Sequence, residues 1–177
     1  SESSKLGEYD DHISKKGRIY RQEVYDSNSR LFQSQITKWD KRDLPGEDRW
    51  LVWPKQTVNL IWNQDLSRKD TAQSLIYDDF GNVIEQTEFG EVSADSNTGE
   101  FTDASDDKRT TKFTYVLNQE KNINSLQSSQ IIFDYQDAKV REQRYYYDNQ
   151  PLGQVQAGSL TKQESWLNAD DSFIQIN

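Results

Sequence analysis

The chain has 177 residues, with 30 acidic against 21 basic side chains and a net charge of −9, so its outnumbered and scattered cations exclude a phosphate-gripping surface for nucleic acid. Leu, Ile, Val and Phe supply only 38 of the 177 residues, so five Trp and nine Tyr must provide much of any buried layer, which predicts a thin aromatic core. With no Cys there can be no disulfide, thiolate-bound zinc or thiol catalysis, and no run approaches the roughly 18 apolar residues of a membrane span, so no membrane insertion is expected of this segment.

Starting at Ser1 and lacking Met, the sequence reads as a processed or excised segment. Residues 1–16 form a polar N-terminal stretch, and 17–177 read as a single β-sheet region. Period-two alternation begins with Tyr20, Gln22 and Val24 and resumes with Phe32, Ser34 and Ile36. Residues 41–48, containing Pro45-Gly46, read as irregular, and Pro54 should confine its strand to an edge or an entry position. Val58, Leu60 and Trp62 then share a face. Residues 91–107 are dense in Asp, Ser, Asn and Gly and predict a long exposed loop. The clearest strand follows, with Thr111, Phe113, Tyr115 and Leu117 on one face and Lys112, Thr114, Val116 and Asn118 on the other. Ile131, Phe133 and Tyr135 lead into Arg141, Gln143, Tyr145 and Tyr147. The consecutive tyrosines Tyr145, Tyr146 and Tyr147 cannot all face one side of a strand. Helical spacing is nowhere sustained for three turns. The predicted fold class is all-β, built of consecutive antiparallel hairpins in an extended curved sheet.

One element repeats. Residues 77–83 read Y-D-x-x-G-N-V and residues 25–31 read Y-D-x-x-S-R-L, with looser copies at Tyr9-Asp10 and at Tyr147-Asp148 followed by Gly153. A hairpin accounts for the pattern: an aromatic ends one strand, Asp accepts backbone N–H bonds, Gly supplies the positive φ, and an aliphatic opens the return strand. The candidate turn residues are therefore Tyr25 and Asp26, Tyr77, Asp78, Gly81 and Asn82, and Tyr147, Asp148 and Gly153.

These units resemble the YD repeats of the RHS family. The order of residues 17–26, then 48–54, then the Tyr77 repeat and residues 111–117, resembles the middle region of bacterial insecticidal toxin-complex B components and SpvB-type virulence proteins. The tail from Arg144 to Lys162 is similar to the RHS segment that follows. The resemblance implies a secreted or cell-surface, non-catalytic chain that forms part of a hollow β shell around a cytotoxic domain. Its implied partners are the remaining shell or toxin-complex components, with self-association through sheet edges a further expectation.

The residues themselves offer catalysis little. His12 is the lone histidine and lies in a polar stretch, which leaves no basis for a Ser-His-Asp arrangement and predicts an exposed side chain. Asp95, Asn97 and Asp103 space oxygen ligands around Gly99 as a weak calcium candidate, but the Gly falls one place early for an EF-hand and no closing Glu follows. No cofactor is expected. Trp39, Trp50, Trp53, Trp62 and Trp166 could instead make a sugar-stacking platform, so a self-contained carbohydrate-binding or adhesion module is the alternative, against ordinary cross-strand packing.

Overall fold

The computed structural model describes residues 12–63, 67–103 and 105–176. A 3-10 turn, Ile13–Lys15, precedes strands β1 (Arg21–Tyr25), β2 (Leu31–Asp43), β3 (Trp50–Trp62), β4 (Arg68–Tyr77), β5 (Val83–Ala94), β6 (Phe101–Asp103), β7 (Arg109–Asn118), β8 (Ile123–Phe133), β9 (Lys139–Tyr147), β10 (Leu160–Leu167) and β11 (Ser172–Ile176). Among the described residues no α-helix forms, and the chain is all-β. Strand neighbours run β1-β2-β3-β4-β5-β7-β8-β9-β10-β11, with β6 on β5. Pairing is antiparallel from β1 through β4, between β5 and β6, and from β7 through β11. Strands adjacent in sequence are thus mostly adjacent in space, as short Asp-, Asn- and Gly-rich connections require.

Two compact units divide the chain. The first takes the residues up to Leu75 together with Glu88–Asp107, and the second takes Ile76–Thr87 together with Lys108 onward.

In the first unit, the register aligns Ile36 with Val58 and Val58 with Ala72, and aligns Ser34 with Leu60 and Leu60 with Asp70, so these side chains share one face of β2, β3 and β4. Val92 and Ala94 complete the buried cluster, with Trp62, Phe89 and Phe101 packed against it. The β5–β6 hairpin lies over this face. Its Gly99 carbonyl accepts a bond from Gln56 Nε2 at 2.7 Å, and a Cβ on Gly99 would come within 2.9 Å of the Ile36 side chain. Val58 and Leu60 are fully buried, and each contributes about 1.5–3 kcal/mol by leaving water.

A carboxylate ties the cover down. Asp70, 5% exposed, pairs with Arg68 at 2.6 Å and accepts the Ala94 amide at 3.0 Å. Arg68 also donates to the Ala94 carbonyl and lies 5.6 Å from the Trp62 ring centroid.

The second unit has a smaller buried cluster, Val116, Tyr147 and Val155, flanked by Ile123, Leu126 and Tyr145. Its cover is irregular. The β9–β10 connection brings Val155 onto the cluster, where the Val155 carbonyl accepts Asn118 Nδ2 at 2.9 Å. Tyr147 donates its hydroxyl to the Gln127 carbonyl at 2.8 Å, whereas Tyr146 points to the other side and donates to Glu164 at 2.6 Å. Tyr145 and Tyr147 thus share a face that Tyr146 does not. On the Tyr146 side, Glu142 is 5% exposed between Lys139 at 3.0 Å and Arg144 at 2.7 Å. Lys139 lies 4.0 Å from the Trp166 ring centroid, and Arg144 3.7 Å from that of Phe173.

The structure corrects the sequence reading at several points. Residues 91–107 are not one loop, because Val92 and Ala94 alternate with polar neighbours as the buried end of β5 and residues 101–103 form β6. Residues 41–43 likewise continue β2. On β7 the alternation stands, because the bulge inserts Ser128 into β8 and no residue into β7: Val116 is buried, while Leu117, on the face of Phe113 and Tyr115, is 50% exposed. Tyr135 is in a turn and not a strand. Pro54 lies inside β3, opposite Trp39 at a second register shift, where the pairing of β3 with β4 has yet to begin at Gln56. There the ring removes no donor from the β4 ladder.

Candidate functional site

The recurring chemical feature is a carboxylate that gathers backbone amides. In the turn 26–30, Asp26 Oδ1 accepts the amides of Asn28 and Arg30, each at 2.8 Å, while the Asp26 amide donates to the Arg30 carbonyl and Ser29 donates to the Asp26 carbonyl. The turn 78–82 repeats every bond: Asp78 Oδ1 accepts Phe80 at 2.9 Å and Asn82 at 2.8 Å, and the backbone closes from Asp78 to Asn82 and from Gly81 to Asp78. Reversal needs a left-handed residue at the fourth position, where Ser29 has φ 60° and Gly81 has φ 88°. Side chains at the fifth position add a bond to the second carboxylate oxygen, from Arg30 Nε at 3.0 Å and from Asn82 Nδ2 at 2.8 Å.

A third copy escaped the sequence reading. Asp134 Oδ1 accepts Gln136 and Ala138, both at 3.0 Å, with the same two backbone closures and Asp137 at φ 59°. Here Phe133 precedes the Asp and Asp137 occupies the left-handed place, so neither the Tyr nor the Gly of the motif is present. Asp in the left-handed region was the available signal. The defining residue of the unit is therefore Asp, and the preceding aromatic is variable in role. Tyr25 is 55% exposed and donates to Glu23 at 2.6 Å, Tyr77 is half-buried, and burial pushes the Tyr77 hydroxyl pKa up.

Asp148 uses the same chemistry on a longer span. Its Oδ2 accepts the amides of Gln156, Ala157 and Gly158 at 2.8, 2.8 and 3.0 Å, and Oδ1 accepts Ser159 at 3.0 Å. Those donors, Gly158 foremost, hold its carboxyl far below the usual carboxylate range. Gly153, at φ 84°, lies within the connection and closes no Asp turn. The stretched spacing after Asp148 thus folds as a loop with a carboxylate at its root. The Tyr9-Asp10 copy lies outside the described residues.

Asp95, from the calcium candidate, turns its Oδ1 onto the amides of Asn97 and Thr98 at 2.9 and 2.7 Å and onto the Thr98 hydroxyl at 3.0 Å, and these bonds, Thr98's first, lower its pKa. Asp103 Oδ1 instead takes the Ser105 amide. Among the described residues no group of three or more His, Cys, Asp or Glu is placed to hold a metal ion. His12 is exposed, with Nδ1 3.0 Å from the Ser14 hydroxyl and its ring 5.1 Å from Trp50.

The tryptophans engage their neighbours. Arg18 lies over Trp39, Arg42 over Trp53, Arg68 over Trp62 and Lys139 over Trp166, each between 4.0 and 5.8 Å from a ring centroid. In the second unit, a cavity of about 540 Å³ beside the Asp78 turn is lined largely by Ile76, Phe80, Ile84, Phe113, Tyr115 and Leu117. Lys112 and Glu85, 3.7 Å apart, bound it. No family model matches the chain, and no curated protein matches it.

Proposed function

We propose that this chain is a structural, non-catalytic array of β-hairpins, a panel of an RHS-type shell that encloses a cytotoxic domain outside the producing cell or at its surface. The observation that carries the reading is the recurrence of one bonded turn, at residues 26–30, 78–82 and 134–138, between successive antiparallel strands. A carboxylate that satisfies turn amides lets each hairpin reverse without drawing on neighbouring elements, which is what stacking of repeated units requires. The tryptophan contacts fit cross-strand packing better than an open stacking platform.

One terminal strand supports the same reading. β11 carries no charged residue, and its Ile174 and Ile176 are 47% and 42% exposed. Edges that face only water usually carry charge, Pro or a bulge. A β11 without them suits a neighbouring strand from the remaining shell.

Light scattering on the purified chain, coupled to size-exclusion chromatography over a concentration series, tests this. The expected result is concentration-dependent association that the Ile174→Lys, Ile176→Lys double variant reduces. A strictly monomeric wild-type chain at every concentration contradicts it and favours a self-contained module.

A further inference from the structure

The three bonded turns differ at their third position. Asn28 and Gln136 occupy it in the turns 26–30 and 134–138, where a polar side chain meets water. In the turn 78–82 the same position holds Phe80, which is 50% exposed. Only the amide of this residue serves the turn, so turn chemistry gives no reason for a ring there. Its surroundings do. Phe80 stands at the cavity of about 540 Å³, where Ile76 and Leu117 are also 50% exposed. Single exposed apolar side chains are ordinary, but three converging on one concavity mark a surface that binds.

The walls are held in place before any ligand arrives. Asn82 Nδ2 donates to Asp78 Oδ2 at 2.8 Å and to the Asn124 carbonyl at 2.7 Å, which fastens the turn to the start of β8. Arg30, its counterpart in the first turn, reaches back to Asp26. Across the cavity the Tyr115 hydroxyl donates to the Val83 carbonyl at 2.8 Å, tying that ring to the start of β5.

Polar groups at the cavity are already matched. Turn amides and Asn82 take both carboxylate oxygens of Asp78. Lys112 lies 3.7 Å from Glu85 and 5.6 Å from the Phe133 ring centroid. The Thr114 hydroxyl lies 2.8 and 2.7 Å from the hydroxyls of Ser128 and Ser129. A charged ligand would have to displace one of these partners or sit unpaired against an apolar wall.

We infer that this cavity binds an uncharged, flat aromatic compound of about two or three rings, a size that its volume accommodates. Phe80, Phe113 and Tyr115 offer ring faces and edges, and Ile76, Ile84 and Leu117 fill the spaces between them. A rigid flat molecule also loses less freedom on binding than a flexible acyl chain does. The inference does not rest on the shell reading, because every wall belongs to the second unit.

The test titrates the chain with the neutral dye N-phenylnaphthylamine and with anilinonaphthalene sulfonate, which has the same rings and a charge. The neutral dye should bind saturably, one per chain, with enhanced emission and at least tenfold tighter than the sulfonate. Naphthalene should displace it, and dodecanol should not. Phe80→Ser and Leu117→Asn should each weaken binding at least fivefold while circular dichroism remains that of the wild type. Phe32→Ser, at a ring of the first unit that is 49% exposed, should leave binding unchanged. Absence of saturable binding overturns the inference, as does sulfonate binding as tight as that of the neutral dye or displacement by dodecanol as effective as by naphthalene. Binding that neither cavity variant weakens, or that Phe32→Ser weakens equally, also overturns it.

Discussion

Each compact unit contains one strongly buried carboxylate and one connection folded over its apolar cluster, but the two units couple these features differently. In the first, Asp70 reaches from β4 to the Ala94 amide, so the buried ion pair and the covering β5–β6 hairpin are one bonded system. In the second, Glu142 pairs with Lys139 and Arg144 of its own strand, while the cover is anchored separately by Asp148. A hairpin cover has its own ladder, from Val92 opposite Asp103 to Ala94 opposite Phe101. An irregular cover depends on the single side chain that gathers its amides. The first unit should therefore be most sensitive at its buried pair, and the second at its loop root.

The largest expected effect is at Asp70. Asp70→Ala removes the partner of a partly buried Arg68 and leaves the Ala94 amide unsatisfied, which should cost about 3 kcal/mol in urea denaturation. Glu142→Ala should cost less, about 1–2 kcal/mol, because Lys139 and Arg144 keep their contacts with Trp166 and Phe173. Equal losses at the two sites would break the contrast. Asp148→Ala should raise amide exchange across residues 156–159 far more than Asp95→Ala raises it across β6, since only the loop lacks a ladder.

Smaller effects sharpen the turn chemistry. Gly81→Val should cost about 1–2 kcal/mol at its left-handed φ, whereas Ser29→Gly should gain up to about 0.5 kcal/mol by relieving the same strain. In the first core, Ser34 is fully buried and its hydroxyl has no hydrogen-bond partner among the described residues. Ser34→Ala should stabilise by about 1 kcal/mol in the same assay.

Acid should act through these carboxylates as well. The Arg30 amide, followed by that of Asn28, lowers the Asp26 pKa, and loop amides lower that of Asp148 further. A folded-state pKa below the unfolded value of about 3.9 gives stability that is present above that pH and lost as pH falls through the folded value. Carboxyl chemical shifts should show Asp148 titrating after Asp26.

Much of this was legible in the sequence. Alternation in Val58, Leu60 and Trp62 placed a core strand, and the Tyr-Asp pairs marked the turns at 26–30 and 78–82, with Gly81 as the expected positive-φ residue of the second. What was missed has physical causes. Val92 and Ala94 are two small apolar residues among acids and serines, too few to outweigh their neighbours, and only long-range packing on Ile36 and Leu60 makes them core. The bulge at Ser128 of β8 has no Pro or Gly to announce it. The turn at 134–138 keeps the bonding of the repeat while replacing both of its conspicuous residues. The Asp70–Arg68 pair joins residues two apart in sequence to an amide in β5, a relation that no local pattern encodes.

The central claim is that the repeating unit is an Asp-capped turn and not a Tyr-Asp-Gly string. Residue-resolved amide exchange on the wild type and on Asp134→Ala tests it most directly. The account predicts slowed exchange at Gln136 and Ala138, comparable to that at Phe80 and Asn82, and its loss at Gln136 and Ala138 in the variant with strands β8 and β9 still protected. Free exchange at Gln136 and Ala138 in the wild type, with protection at Phe80 and Asn82 retained, would contradict it and restore the sequence motif as the unit.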